Sequence, residues 1–233
     1  MADDVSKVQW LDEVKRTKKL TIFLDDSIGK NGWTKAFTDA IPIINGFSLG
    51  VTFDPPKHQK PASIEAYAKK GNFEFEFKDP TGQFQDIPKK TKKFDGNSVH
   101  GLCVPVIGDV RDRTSRLVEK RLAKAFIYVP EKPYIGEGKN RLVGDPVKLV
   151  VAVHELVHAC GLVDDNQHTV DDVFSWPKLK IGNRPDDDRV EVFTGRREDV
   201  TIAGRTIKKS VMAEMPPIFL NGPTANKIRA LWA

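Results

Sequence analysis

The stretch Asp145–Asp165, DPVKLVVAVHELVHACGLVDD, restricts this chain more than any other. Asp145 followed by Pro146 is a helix start, with the acid as N-cap and the proline at the first helical position, where a missing N–H costs nothing. Gly161 is a matching stop. Beyond Lys148 the only polar side chains before that stop are His154, Glu155 and His158. Residues four apart on a helix stack on one face, so His154 and His158 can hold a single ion from one side. One alternative is a core helix whose histidines are merely hydrogen-bonded, but polar groups without partners are costly in so apolar a run. Zinc (Zn2+) is the expected ion, because paired imidazoles with an open coordination position suit it. Glu155, one residue round from His154, can then reach a water in that open position as general base and later return the proton as acid. Hydrolysis of peptide bonds is the reaction this arrangement serves.

A chain of 233 residues has the size of one globular domain, with room for two lobes about a cleft. Its net charge of +5 comes from basic residues spread along its length, densest at Lys89-Lys90-Thr91-Lys92-Lys93. Such a run reads as a solvated surface loop, with nucleic acid or an acidic partner as the alternative. Cys103 and Cys160 make no disulfide framework, and Cys160 inside the apolar helix reads as a packed, reduced thiol. The opening Met1-Ala2-Asp3-Asp4 lacks the basic-then-apolar pattern of a secretory signal, and no stretch is long enough to span a membrane. The expectation is a soluble monomer, cytoplasmic or exported by a non-classical route, without a membrane or nucleic-acid partner.

Along the chain, Val5, Val8, Leu11 and Val14 predict a packed helix over 4–18. Residues 20–24 predict a central strand, 33–44 a helix burying Ala36, Phe37, Ala40, Ile41 and Ile44, and 47–53 a second strand. A short helix is expected over 63–69. The alternation of Asn72–Lys78 predicts a half-buried strand with an acidic outer face, followed by a basic surface loop over 79–96. His100–Val106 reads as an edge strand, because Pro105 cannot donate to a ladder. Residues 111–120 read as a charged helix, 125–129 as the last strand before a Gly/Pro-rich loop over 130–145, and 190–193 with 200–207 as a hairpin. An amphipathic helix over 224–232 closes the chain, bearing Ile228, Leu231 and Trp232.

These features together resemble the metzincin clan of zinc metallopeptidases, and within it the matrixin-like members. The clan pattern is His-Glu-x-x-His-x-x-Gly-x-x-His or Asp, followed by a methionine turn. His154, Glu155, His158, Gly161 and Asp164 stand at that spacing, and Ser210-Val211-Met212 resembles the turn. The resemblance implies an α/β (α+β) metzincin-like zincin fold in one catalytic domain over 1–233. A twisted mixed five-stranded sheet and the active-site helix would form an upper subdomain, 1–161, above a small irregular lower one, 162–233. It further implies that Gly161 turns the chain beneath the zinc, that Met212 supports the metal as an apolar floor, and that 215–219 wall a substrate pocket. A peptide or protein substrate would lie extended along the edge strand at His100–Val106.

Two features depart from the pattern. Asp164 stands where most members carry histidine, and His168, four residues on, offers the commoner zinc partner, so the third ligand is either Asp164 or His168. No tyrosine follows Met212, which leaves oxyanion stabilisation to the metal and Glu155. Cys103 reads as a small core residue, since its neighbours do not match the matrixin propeptide motif that silences the metal through a cysteine. His58 and His100 read as surface or turn residues. The rival reading is a non-catalytic, zinc-stabilised binding module that engages a protein or nucleic acid through Lys89–Lys93; a peptidase with one dedicated target is a narrower form of the first reading.

Overall fold

The computed structural model describes residues 8–57, 59–79, 86–94, 101–111, 117–135, 141–142, 145–162, 173–175, 200–202, 205–207, 218–220 and 222–233. The described elements run α1 (Asp12–Thr17), β1 (Lys19–Leu20), β2 (Ile22–Leu24), α2 (Asp26–Lys30), α3 (Thr34–Gly46), β3 (Thr52–Phe53), β4 (Ile64–Lys69), β5 (Phe73–Phe77), β6 (Ile87–Lys92), β7 (Leu102–Arg111) and β8 (Leu117–Pro130). They continue with β9 (Tyr134–Ile135), β10 (Arg141–Leu142), α4 (Asp145–Ala159), β11 (Val173–Ser175), β12 (Val200–Ile202), β13 (Arg205–Ile207), β14 (Ile218–Leu220) and α5 (Gly222–Trp232). The class is mixed α and β.

A four-stranded sheet in the order β2-β4-β8-β7 organises the fold. β2, β4 and β8 are parallel, and β7 returns antiparallel along β8 as the edge. β1 pairs in parallel with β3, so the run 19–24, interrupted at Thr21, has β3 on one side and β4 on the other. Successive side chains of a strand point to opposite faces, and the two faces carry different chemistry. Ile64, Ala66 and Ala68 of β4 join Ala125, Ile127 and Val129 of β8 in the main core with α3 and α4. Val104, Val106, Phe126 and Tyr128 lie on the other face, in a second cluster capped by Phe73 and Phe94.

Several expectations hold: the strand at 20–24, the closing helix, and α3 with all five anticipated residues buried around an internal Pro42. β7 is the edge of its sheet, and β5 alternates with Phe73 buried and Glu74 and Glu76 exposed.

Others are corrected. Residues 63–69 form no helix; they hold β4, whose alanines, glutamate and lysine favour helix locally but which is gripped by parallel ladders on both flanks. The strand expected over 47–53 shrinks to β3, because Phe47 caps α3 and Ser48 and Gly50 take positive φ of 53° and 82°. The surface loop over 79–96 contains β6, which places the basic run on a strand beside acidic β5, with Lys89 ion-paired to Glu74. Of the charged helix expected over 111–120, the described residues 111 and 117–120 belong instead to the facing ends of β7 and β8, and the loop expected over 130–145 carries the β9–β10 pair among its described residues. β12 and β13 make a hairpin inside 200–207, while 190–193 lie outside the described residues.

The N-terminal helix also shortens to α1, and residues 8–11 before it form an extended strap. Leu11 N donates to Leu122 O at 3.1 Å, and Leu122 N to Gln9 O at 2.8 Å. β4 occupies this flank of β8 only from Ala125 onward, so the strap fills the place that β4 leaves. Val8 and Trp10 are buried while Gln9 between them is only half-buried, a period-two pattern that extended backbone satisfies and helix does not.

On the second face Glu65, 3% exposed, accepts from Lys124 and Tyr67 and pairs with Lys60 at 3.0 Å. Burial alone pushes its carboxyl up, but the hydrogen bonds from Lys124, Tyr67 and Lys60 outweigh burial and hold it below the ordinary glutamate value. A lowered folded-state value means stability present above the unfolded-state value and lost as pH falls through the folded one. Breaking such a pair strands the buried partner charge, so Glu65→Ala is expected to lower neutral-pH stability by about 3–5 kcal/mol in denaturant titrations. The variant's stability should also fall less steeply on acidification than the wild type's; an equal loss at every pH would show that the charge of Glu65 contributes nothing.

Candidate metal centre

α4 begins at Asp145 and ends at Ala159, matching the start and stop signals of the sequence. Its apolar residues Leu149, Ala152, Val153, Leu156 and Val157 are buried against the sheet and α3, which fixes the rotation of the helix. The four-residue spacing stacks the two histidines on one face of it. The rings of His154 and His158 lie 5.0 Å apart, centroid to centroid, at 79° to each other. His158 is buried and His154 half-buried, so the pair stands at the margin of the core.

His158 Nδ1 meets the carbonyl oxygen of Leu162 at 2.7 Å. A carbonyl oxygen only accepts, so Nδ1 carries the proton, and when the ring is neutral its lone pair is on Nε2. A histidine that ligates a metal is held in this way, its second nitrogen donating to a carbonyl or carboxylate.

Glu155, 3% exposed, points toward the start of β7. A methyl group added at Gly101 would lie 2.6 Å from Glu155 Oε1 and 2.7 Å from its Cγ. The edge strand and the carboxylate thus meet at Gly101 with no room between them. Glycine at the head of a strand allows such an approach, and no local pattern around it signals the carboxylate it meets.

After α4 the backbone turns at Gly161, whose φ of 117° is unfavourable for any residue with a Cβ, and a Cβ there would lie 2.6 Å from Val8 O. The carbonyls that leave the helix are all engaged. Trp10 Nε1 donates to Ala159 O at 2.9 Å, Trp232 Nε1 to Cys160 O at 2.9 Å, and Val8 N to Gly161 O at 3.1 Å. Nothing local marked the two tryptophans, which come from opposite ends of the chain.

Cys160 is fully buried, its thiol donating to Leu156 O at 3.4 Å, and burial pushes its pKa far up. It is an inert packed thiol. Cys103 packs against the main core as a small half-buried side chain, and both cysteines are reduced.

Among the described residues no group of three or more His, Cys, Asp or Glu side chains converges. Asp164, His168 and Met212 lie outside the described residues, as do His58 and His100. No helix among the described residues is long and apolar enough to cross a membrane. No family model matches the chain, and no curated protein or solved structure matches it.

Gly161→Ala should cost about 1–3 kcal/mol, as a side chain forced into this backbone region does, and more where Val8 cannot retreat. Thermal unfolding measures this, and an unchanged midpoint would mean that the corner relaxes freely.

Proposed function

We propose that this chain is a zinc-dependent endopeptidase of the metzincin type. The reading rests first on His158: its Nδ1–H is committed to Leu162 O, which leaves Nε2 as a ligand nitrogen 5.0 Å, ring to ring, from the partner imidazole. The donor set fits zinc in its chemistry, since two neutral imidazoles and a carboxylate or third imidazole form a three-ligand site with an open position. His154, His158 and one of Asp164 or His168 would hold the ion. When bound, zinc supplies a Lewis acid that lowers the pKa of its water to about 7.

Glu155 would accept the proton of that water on its carboxylate and deliver it to the nitrogen of the departing amine. The backbone at Gly101 closes one side of this carboxylate, which is 3% exposed. Among the described residues β7 pairs with β8 alone, so its other edge would offer backbone donors and acceptors to an extended peptide. Gly101, at the head of that edge, would bring the peptide backbone beside Glu155. The parallel strands with a single antiparallel edge strand also support the metzincin-like arrangement, in which Gly161 would be the turn beneath the metal and Met212 its floor.

The binding-module reading draws less support. Its basic run lies on β6, which packs on the second face of the sheet, opposite α4, and Lys89 is engaged by Glu74. That reading also gives no task to a buried carboxylate beside two imidazoles.

Incubation of the purified protein with a mixed peptide library, with and without a zinc chelator, tests the proposal. Cleavage should require zinc, and Glu155→Ala should lower its rate by about 10²–10⁴-fold while retaining the metal. His154→Ala and His158→Ala should lose the metal itself. Cleavage that ignores the chelator would refute the zinc mechanism, and zinc-loaded protein that cuts nothing would favour the binding module.

A further inference from the structure

The corner that follows α4 is held by residues far away in sequence. Helix ends leave their last carbonyls without intrahelical donors, and buried carbonyls need partners. Here Ala159 O, Cys160 O and Gly161 O receive Trp10 Nε1, Trp232 Nε1 and Val8 N, while Leu162 O receives His158 Nδ1. Both indoles are buried, at 1% exposure each, and Leu231 would lie 3.1 Å from a Cβ at Gly161. The bond that orients the His158 ring therefore ends on a carbonyl whose position is set by the strap at 8–11 and by the last turn of α5.

Resting on the metal-site reading above, we propose that Trp10 and Trp232 are positioning residues of the metal centre, and that docking of the 8–11 strap and zinc binding are thermodynamically coupled. Seating the strap fixes the Gly161 corner, which aims Leu162 O at His158 Nδ1. Zinc in turn draws the same corner into place. Linkage makes the effect reciprocal: whatever factor the seated strap adds to zinc affinity, zinc adds to seating of the strap. A peptide that competed for the strap's place beside Leu122 would thus release the metal without touching a ligand.

The test compares zinc affinity, by competition with a chromophoric chelator, in the full chain and in Trp10→Phe, Trp232→Phe and Trp33→Phe. Trp33 is the control: it is equally buried, and its Nε1 donates at 2.9 Å to Pro130 O, away from the corner. Loss of supporting groups around metal ligands typically weakens binding about 10–100-fold. Trp10→Phe and Trp232→Phe should fall in that range, while Trp33→Phe stays within about twofold of the wild type. Equal affinity in all four proteins, or an equal loss in all three variants, overturns the coupling. Where a variant does not fold, amide exchange of the wild type decides: the Val8 amide should slow about tenfold or more on adding zinc, beyond any slowing in β5, and unchanged exchange overturns the proposal. A wild type that binds no zinc refutes the metal site and the coupling together; a wild type that binds it, with Trp10→Phe binding equally well, refutes the coupling alone.

Discussion

Four consecutive carbonyls, Ala159 through Leu162, each meet a specific donor, and the architecture around α4 depends on that arrangement. A helix that ends inside a core cannot leave its last carbonyls to water. This one ends there because the backbone turns at Gly161, whose φ of 117° cannot continue the helix. The donors come from an extended strap and a terminal helix, elements that a local reading regards only as packing. Tryptophan suits the task, since it carries one N–H on a large apolar body and so fills volume and caps a carbonyl at once. Trp33 does the same at the end of β8, on Pro130 O.

The sheet separates two environments. On the α3/α4 side its residues are small and aliphatic, which brings the helices close and aligns α4 with the edge strand. On the other side Tyr67, Tyr128 and Phe126 stack around Glu65 and Lys124, and Lys60 lies 4.9 Å above the Phe23 ring. Placing the charges on that side leaves the main core apolar up to the histidines. Glu155 and His158 are the buried polar side chains of α4, Glu155 against Gly101 at the start of β7 and His158 against Leu162 O.

Periodicity was a good guide where one face of an element is buried and the other wet. α3, α5 and β5 have that character, and their buried residues could be read directly. It failed where both flanks or both faces are occupied. β4 reads as helix because Ala, Glu and Lys favour helix, yet it is a central strand held by parallel neighbours. β7 and β8 run well beyond their apolar centres because a long antiparallel ladder sustains the charged ends. The strap looked helical since Val8, Leu11 and Val14 keep a three-residue spacing, but Val8 and Trp10 are drawn to the helix end and to β8 instead.

For the candidate centre, local sequence determined what a single helix can express: a start at Asp145, a stop at Gly161, and His154, Glu155 and His158 at spacings that the helical repeat turns into a shared face. Those consequences follow from 3.6 residues per turn and need no partner. Only the tertiary structure decided the rest. It placed Gly101 against Glu155, put the His158 proton on Nδ1 through Leu162 O, and brought Trp10 and Trp232 to the end of α4. These contacts join residues up to 149 positions apart, and no local periodicity encodes a pairing whose partners meet only after the sheet has formed.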